Sequence, residues 1–180
     1  MHSSSGNLYY WGERFTAIRR GMEADGGSMW FLLPDEGYTP DDLLADDETL
    51  DFMLGGFSDW ENQKFLMVNQ SIPKFDAVSQ LDLRAGLQAL GITDVFDVSV
   101  SDFTPMVPDR SDVYLGKAQH DARVIIDEEG VEAAAYTVLA APGAGMPPTD
   151  EIDFVVDRPF LFVITGADSL PLFVGVVNHP

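Results

Sequence analysis

The stretch Asp127–Pro148, DEEGVEAAAYTVLAAPGAGMPP, decides how this chain is read. An acidic strand end gives way to one glycine, then to small and apolar residues, and the run stops at a double proline. Side chains this small cannot build a core of their own, yet the segment is too apolar for an ordinary solvated linker. A chain that exposes such a segment invites cleavage there, and a mechanism that uses the cut would be served by this composition.

Outside that stretch, the bulk properties bound the answer. At 180 residues and 46% hydrophobic, the chain has the length of one domain and enough apolar material for a substantial core. A net charge of −20 argues against nucleic acid and anionic membranes as partners, since both would repel it. Asp41–Asp42 and Asp46–Asp47–Glu48 lack the glycine-centred, alternating-oxygen spacing of a calcium loop and read as helix starts. With no cysteine, thiol chemistry and cysteine metal sites are excluded. His2, His120 and His179 are far apart and show no metal-ligand spacing, so neither a metal nor a cofactor is expected. No apolar run reaches membrane-spanning length. Residues 1–6 lack the apolar core of a signal peptide and read as a disordered or extraneous start.

Strands dominate the pattern. Leu8–Trp11 and Phe15–Arg19 flank Gly12, and Asp25–Gly26–Gly27 turns the chain into the apolar run Met29–Leu33. Thr39 before Pro40, Asp41 and Asp42 is a helix cap with a first-turn proline. Asp47 opens a second helix, with Leu50, Met53, Leu54 and Phe57 at helical spacing. Strand character returns at Lys64–Gln70 and Ile72–Val78. Asp82 is read as the cap of a helix over Leu83–Leu90, with Gly91 as its stop. After a loose stretch, Thr93–Asp112, a long strand is expected over Val113–Asp127. It places His120, Ala122, Val124 and Ile126 on one side, with Asp121, Arg123 and Asp127 on the other. Ile152–Val156, Phe160–Thr165 and Leu172–Val177 are short apolar strands suited to a barrel or sandwich core. The fold class is α+β, strand-rich with a few short helices.

Several pieces, in this order, carry a resemblance: FLLPDEG at Phe31–Gly37, IPKFD at Ile72–Asp76 and LDLRAGLQALGITDVFD at Leu81–Asp97. SDF at Ser101–Phe103, the H-x-A element at His120–Ala122 and DEEGVEAAA at Asp127–Ala135 follow. DRPFLFVI at Asp157–Ile164 and LFVGVVNHP at Leu172–Pro180 complete the set. Together they resemble the C-terminal half of a serpin, the loop-inserting family of serine protease inhibitors, over Asn7–Pro180. The resemblance implies an incomplete serpin fold: part of the large sheet, barrel-like antiparallel sheets and a few helices. Residues 7–180 would be one portion of a single domain, with 128–148 as the reactive-centre loop. Gly130, Val131, Glu132, Ala133, Ala134 and Ala135 match the hinge. Counting forward from that hinge and back from Pro147–Pro148 gives the same scissile bond, Ala144–Gly145. His120 falls in the sheet-opening region, a structural role, and Arg158–Pro159–Phe160 reads as core-strand packing.

In that family the target protease attacks the loop as substrate, and the cut loop inserts into the large sheet before the acyl-enzyme hydrolyses. Serpin insertion is a standard example of strand addition and released strain. The residue types here suit a buried strand. With Val131 inward, Ala133, Ala135 and Thr137 also face inward, small and uncharged, while Glu132 and Tyr136 face out. Val131 stands where the family usually has Thr or Ser, and Tyr136 interrupts the alanine run.

Ala144 would leave a deep specificity pocket largely empty, forfeiting about 1–3 kcal/mol of discrimination. The implied partner is a serine protease with a small primary specificity pocket, elastase-like or subtilisin-like. No Ser/His/Asp set belongs to this chain, because the chemistry is the target's; the chain is read as an inhibitor and not an enzyme. The resemblance also implies an extracellular or cell-surface setting and an N-terminal half that supplies the rest of the accepting sheet. Without it the chain alone is not expected to trap a protease. A non-inhibitory serpin-fold carrier and an inactive fragment are the competing readings, and the uncharged inward face of the hinge favours inhibition.

Overall fold

Two runs of sequence make the core: the apolar strand SMWFLLP and the helix pair that follows it. The computed structural model describes residues 1–22, 26–127 and 148–180. They form two compact units, one of Met1–Asp76 with Ile125–Pro180 and one of Ala77–Val124.

The first unit is built on a seven-stranded sheet. Its strands are β1 (His2–Trp11), β2 (Phe15–Gly21), β3 (Ser28–Pro34), β4 (Gln63–Ser71), β7 (Glu151–Val155), β8 (Phe160–Thr165) and β9 (Pro171–Val177). They lie in the order β7-β4-β1-β2-β3-β8-β9. Neighbours are antiparallel except β4 and β7, which run parallel. Every residue of β3 is buried, as expected of a strand covered on both faces.

Alternation sorts the side chains. Tyr10, Phe15, Ala17, Trp30, Leu32, Leu161 and Val163 turn to one face and meet Leu43, Phe52, Met53 and Phe57. Those last four come from α1 (Pro40–Leu44), α2 (Asp47–Met53) and the 3-10 turn Gly56–Asp59. Phe52 is the hub, with its ring 5.1 Å from Phe15, 5.5 Å from Trp30 and 4.9 Å from Trp60. On the opposite face Phe31 and Phe75 stack against Phe160, at 6.1 and 5.6 Å.

The helix caps follow their sequence signals. Thr39 Oγ1 accepts from the Asp42 amide at 3.2 Å, and the Asp42 carboxylate accepts back from the Thr39 amide at 2.8 Å, closing a capping box. Asp46 caps α2 by accepting from the Thr49 amide at 3.0 Å. Phe57, expected on the second helix, sits instead in the 3-10 turn, because Gly55 at φ +117° breaks the α2 spiral.

Residues 1–6 are not a disordered start. Residues 2–6 form the first half of β1 and pair from His2↔Ser71 to Gly6↔Met67, and Ser4 Oγ donates to Asn69 Oδ1 at 2.7 Å. The polar composition that suggested disorder is that of a strand whose ladder is satisfied by β4.

The second unit holds most of β5 (Phe75–Asp82) and β6 (Gln119–Ile126), which form a two-stranded sheet, together with α3 (Arg84–Ala89). Asp82, expected as the cap, lies one residue before it: the N-cap is Leu83, which makes no side-chain cap bond, and Asp82 accepts from the Arg84 amide at 2.9 Å. Gly91 at φ +88° ends the helix with the Ile92 amide on Leu87 O. Leu83 and Leu90 remain exposed. The long strand expected over Val113–Asp127 is regular only from Gln119. Before it, Leu115 and Val113 are tied to Val95 and Ser101, so their backbone bonds go to turns rather than to a neighbouring strand.

Candidate functional site: the bait segment and its anchors

Gly130–Ala135, Ala144 and Gly145 all lie outside the described residues. What the structure does describe is how the chain enters and leaves that stretch. It enters from β6, whose residues alternate: Ala122, Val124 and Ile126 are half-buried, while Asp121, Arg123 and Ile125 are exposed. His120 shares the parity of the half-buried set but is itself exposed. Gln119 Nε2 donates to Asp121 Oδ1 at 2.6 Å on the exposed face.

The chain leaves into β7, an edge strand whose hold is built from several short-range pieces. The ladder runs from Met67↔Glu151 to Ser71↔Val155. It is closed at one end by the Met67 amide on Asp150 O at 3.0 Å and at the other by the Val156 amide on Ser71 O at 2.8 Å. Side chains add to it: Lys64 Nζ donates to Asp150 Oδ2 at 2.7 Å, and Asn69 Nδ2 donates to Asp153 Oδ1 at 3.0 Å. The hydrogen bond and charge of Lys64 hold the Asp150 carboxyl below the usual carboxylate range. Phe154 and Val156 are buried beneath, and Phe154 meets Tyr9 edge-on at 6.4 Å.

A parallel pair cannot be joined by a tight turn. Here the connection from β4 to β7 contains β5, α3, β6 and, in sequence, the bait stretch. The sequence reading placed β7 but not its anchors. Lys64, Asn69, Asp150 and Asp153 were legible only as polar positions within apolar strands, and their pairing joins residues more than eighty apart.

Arg158, read as core-strand packing, donates from Nε to Pro34 O at 3.0 Å, and Phe160 beside it is fully buried. In the second unit an open groove of about 510 Å³ is lined by α3 and the turns after it, with the Arg84 guanidinium 5.3 Å above the Phe96 ring. Among the described residues no group of three or more His, Cys, Asp or Glu side chains could hold a metal ion. No described helix is long and apolar enough to cross a membrane.

A seven-stranded, antiparallel-rich sheet with one parallel edge strand and a few short helices defines a strand-rich α+β class. Comparison with known proteins gives the family. The pattern for Serpin (serine protease inhibitor) matches residues 1–180, and the chain belongs to that family. It is 37% identical over 157 residues to leukocyte elastase inhibitor of Sus scrofa, covering 85% of this chain and 40% of that protein. It is 37% identical over 155 residues to alpha-1-antiproteinase of Callosciurus caniceps, covering 83% of this chain and 34% of that protein. Human glia-derived nexin is 38% identical over 113 residues, 61% of this chain and 27% of that protein. Among solved structures, the thermophilic serpin tengpin in its native state superposes with a TM-score of 0.73 at 26% identity, over 100% of this chain and 46% of that one. Native protease nexin-1 with heparin gives 0.67 at 26% identity, over 99% and 46%. The fold is therefore serpin-like, and the chain spans less than half the length of these relatives.

Proposed function

We propose that this chain carries the bait end of a serine protease inhibitor that acts as a suicide substrate. Cleavage falls at Ala144–Gly145, and the released segment inserts as a strand from the hinge Gly130–Ala135. The observation that carries the reading is the hinge composition, Gly130-Val131-Glu132-Ala133-Ala134-Ala135, between a scaffold strand and an anchored edge strand. On the alternation of a strand its inward residues bring no charge into the sheet. Several ladder bonds at about 0.5–1.5 kcal/mol each, with apolar burial, would stabilise the inserted form by on the order of 10 kcal/mol.

The target class is an elastase-like or subtilisin-like serine protease, since alanine fills only a shallow pocket. Two relatives carry the names leukocyte elastase inhibitor and alpha-1-antiproteinase, which supports a protease partner. The two-stranded sheet β5–β6 is too small to bury an inserted strand on both sides. The strands that complete it would come from a remainder of family length, and the setting is extracellular or cell-surface.

Incubating the intact protein with an elastase-like protease and running a denaturing gel tests this. A covalent complex, with the new terminus at Gly145, is expected. Clean cleavage without a complex would make the protein a substrate only, and no cleavage would favour a carrier role.

A further inference from the structure

The acidic residues are not spread evenly. Asp35–Glu61 holds ten carboxylates and no Lys, Arg or His, in a chain with 30 acids against 10 Lys and Arg. Glu36, Asp41, Asp42, Asp47, Asp51, Asp59 and Glu61 are exposed. This same stretch forms α1, α2 and the 3-10 turn, the layer that closes the core over Trp30. Helices of five and seven residues do not persist alone in water and depend on docking.

Local compensation is thin. The first-turn acids of both helices suit the helix dipole, but neither helix has a base in its last turn. Arg14, from the β1–β2 turn, pairs with Asp46 at 3.3 Å and lies over the Tyr38 ring at 5.4 Å. Arg158 acts on Asp35 from the other side, and Arg19 faces the Trp30 ring at 5.9 Å. Two carboxylates of the layer instead bond within their own caps, Asp42 to Thr39 and Asp46 to Thr49. Those bonds fix geometry and leave the negative charge uncancelled.

We propose that this protein is adapted to concentrated electrolyte: mobile cations screening the Asp35–Glu61 layer keep α1 and α2 docked on the sheet. Screening length falls from about 10 Å at 0.1 M salt to about 3 Å at 1 M, so repulsion among exposed carboxylates weakens as salt rises. The action is general screening, with no ion held at a defined site. At low salt the helix layer loosens first, and the core around Phe52 opens with it.

The test uses the intact protein, following thermal unfolding by tryptophan fluorescence from 0.05 to 2 M NaCl. Trp30 and Trp60 both touch Phe52 and report on this layer. The midpoint is expected to rise by roughly 5–15 °C over that range, equally in KCl and NaCl. The triple variant D51K/D59K/E61K should lose at least half of that rise. Should it fail to fold, D51N/D59N should flatten the slope in the same direction by a smaller amount. A flat or falling midpoint, an unchanged slope in the variants, or the whole effect reproduced by millimolar calcium would each overturn the proposal.

Discussion

Replacing Phe154 with alanine should release the downstream anchor of the bait without unfolding the sheet. Phe154 is 2% exposed, sits in a five-residue edge strand and packs edge-on against Tyr9. Truncating a buried phenylalanine costs about 3–5 kcal/mol, including about 0.5–1.5 kcal/mol for the aromatic pair. An edge strand relaxes more readily than a central one, which favours the lower end. At about 3 kcal/mol the open population of β7 rises by a factor on the order of 10². Amide hydrogen exchange reads this directly. Amides of β7 and Val156, whose N–H is held by Ser71 O, should exchange on the order of 10² faster, while those of the fully buried β3 change little. If the β7 amides accelerate less than tenfold, the anchor is not held by this side chain. If β3 accelerates equally, β7 is not a separate opening unit, and the reasoning fails.

Further predictions follow from the same geometry. Thr39→Ala should lower stability by about 0.5–2 kcal/mol by removing the α1 cap, measured by urea titration. Threonine bonds hold the Asp42 and Asp46 carboxyls below the usual carboxylate range, and Lys64 does so for Asp150. Their contribution is full above the ordinary carboxylate pKa of about 4 and is lost as pH falls through the lower folded values. Asp150→Asn should therefore flatten the acid limb of a stability–pH curve for β7 exchange. Gly175→Ala would drive a Cβ into the Phe162 ring, so the ring must move; a destabilisation of about 1–3 kcal/mol is expected in thermal melts.

Much of this architecture could be read from local pattern. Thr39-Pro40-Asp41-Asp42 announced α1 because capping is short-range, and the buried strands Met29–Leu33 and Phe160–Thr165 announced themselves by unbroken apolar runs. Where the partner lies far away, the pattern was silent. Residues 2–6 look like a polar tail, and only the ladder with Gly6↔Met67 through His2↔Ser71 makes them a strand. Val113–Ala118 looks like strand, yet a strand needs a neighbour, and here the backbone bonds turn to Val95 and Ala118 O is taken by Leu83. The grip on β7 by Lys64 and Asn69 was invisible for the same reason.

The central claim is that a cut bait becomes a sheet strand, and nicking the loop of the intact protein with a protease that is not trapped tests it most directly. If the released segment inserts, a gain on the order of 10 kcal/mol should raise the thermal midpoint of the nicked protein by at least about 15 °C over the uncut form. A midpoint that stays level or falls after cleavage would contradict insertion.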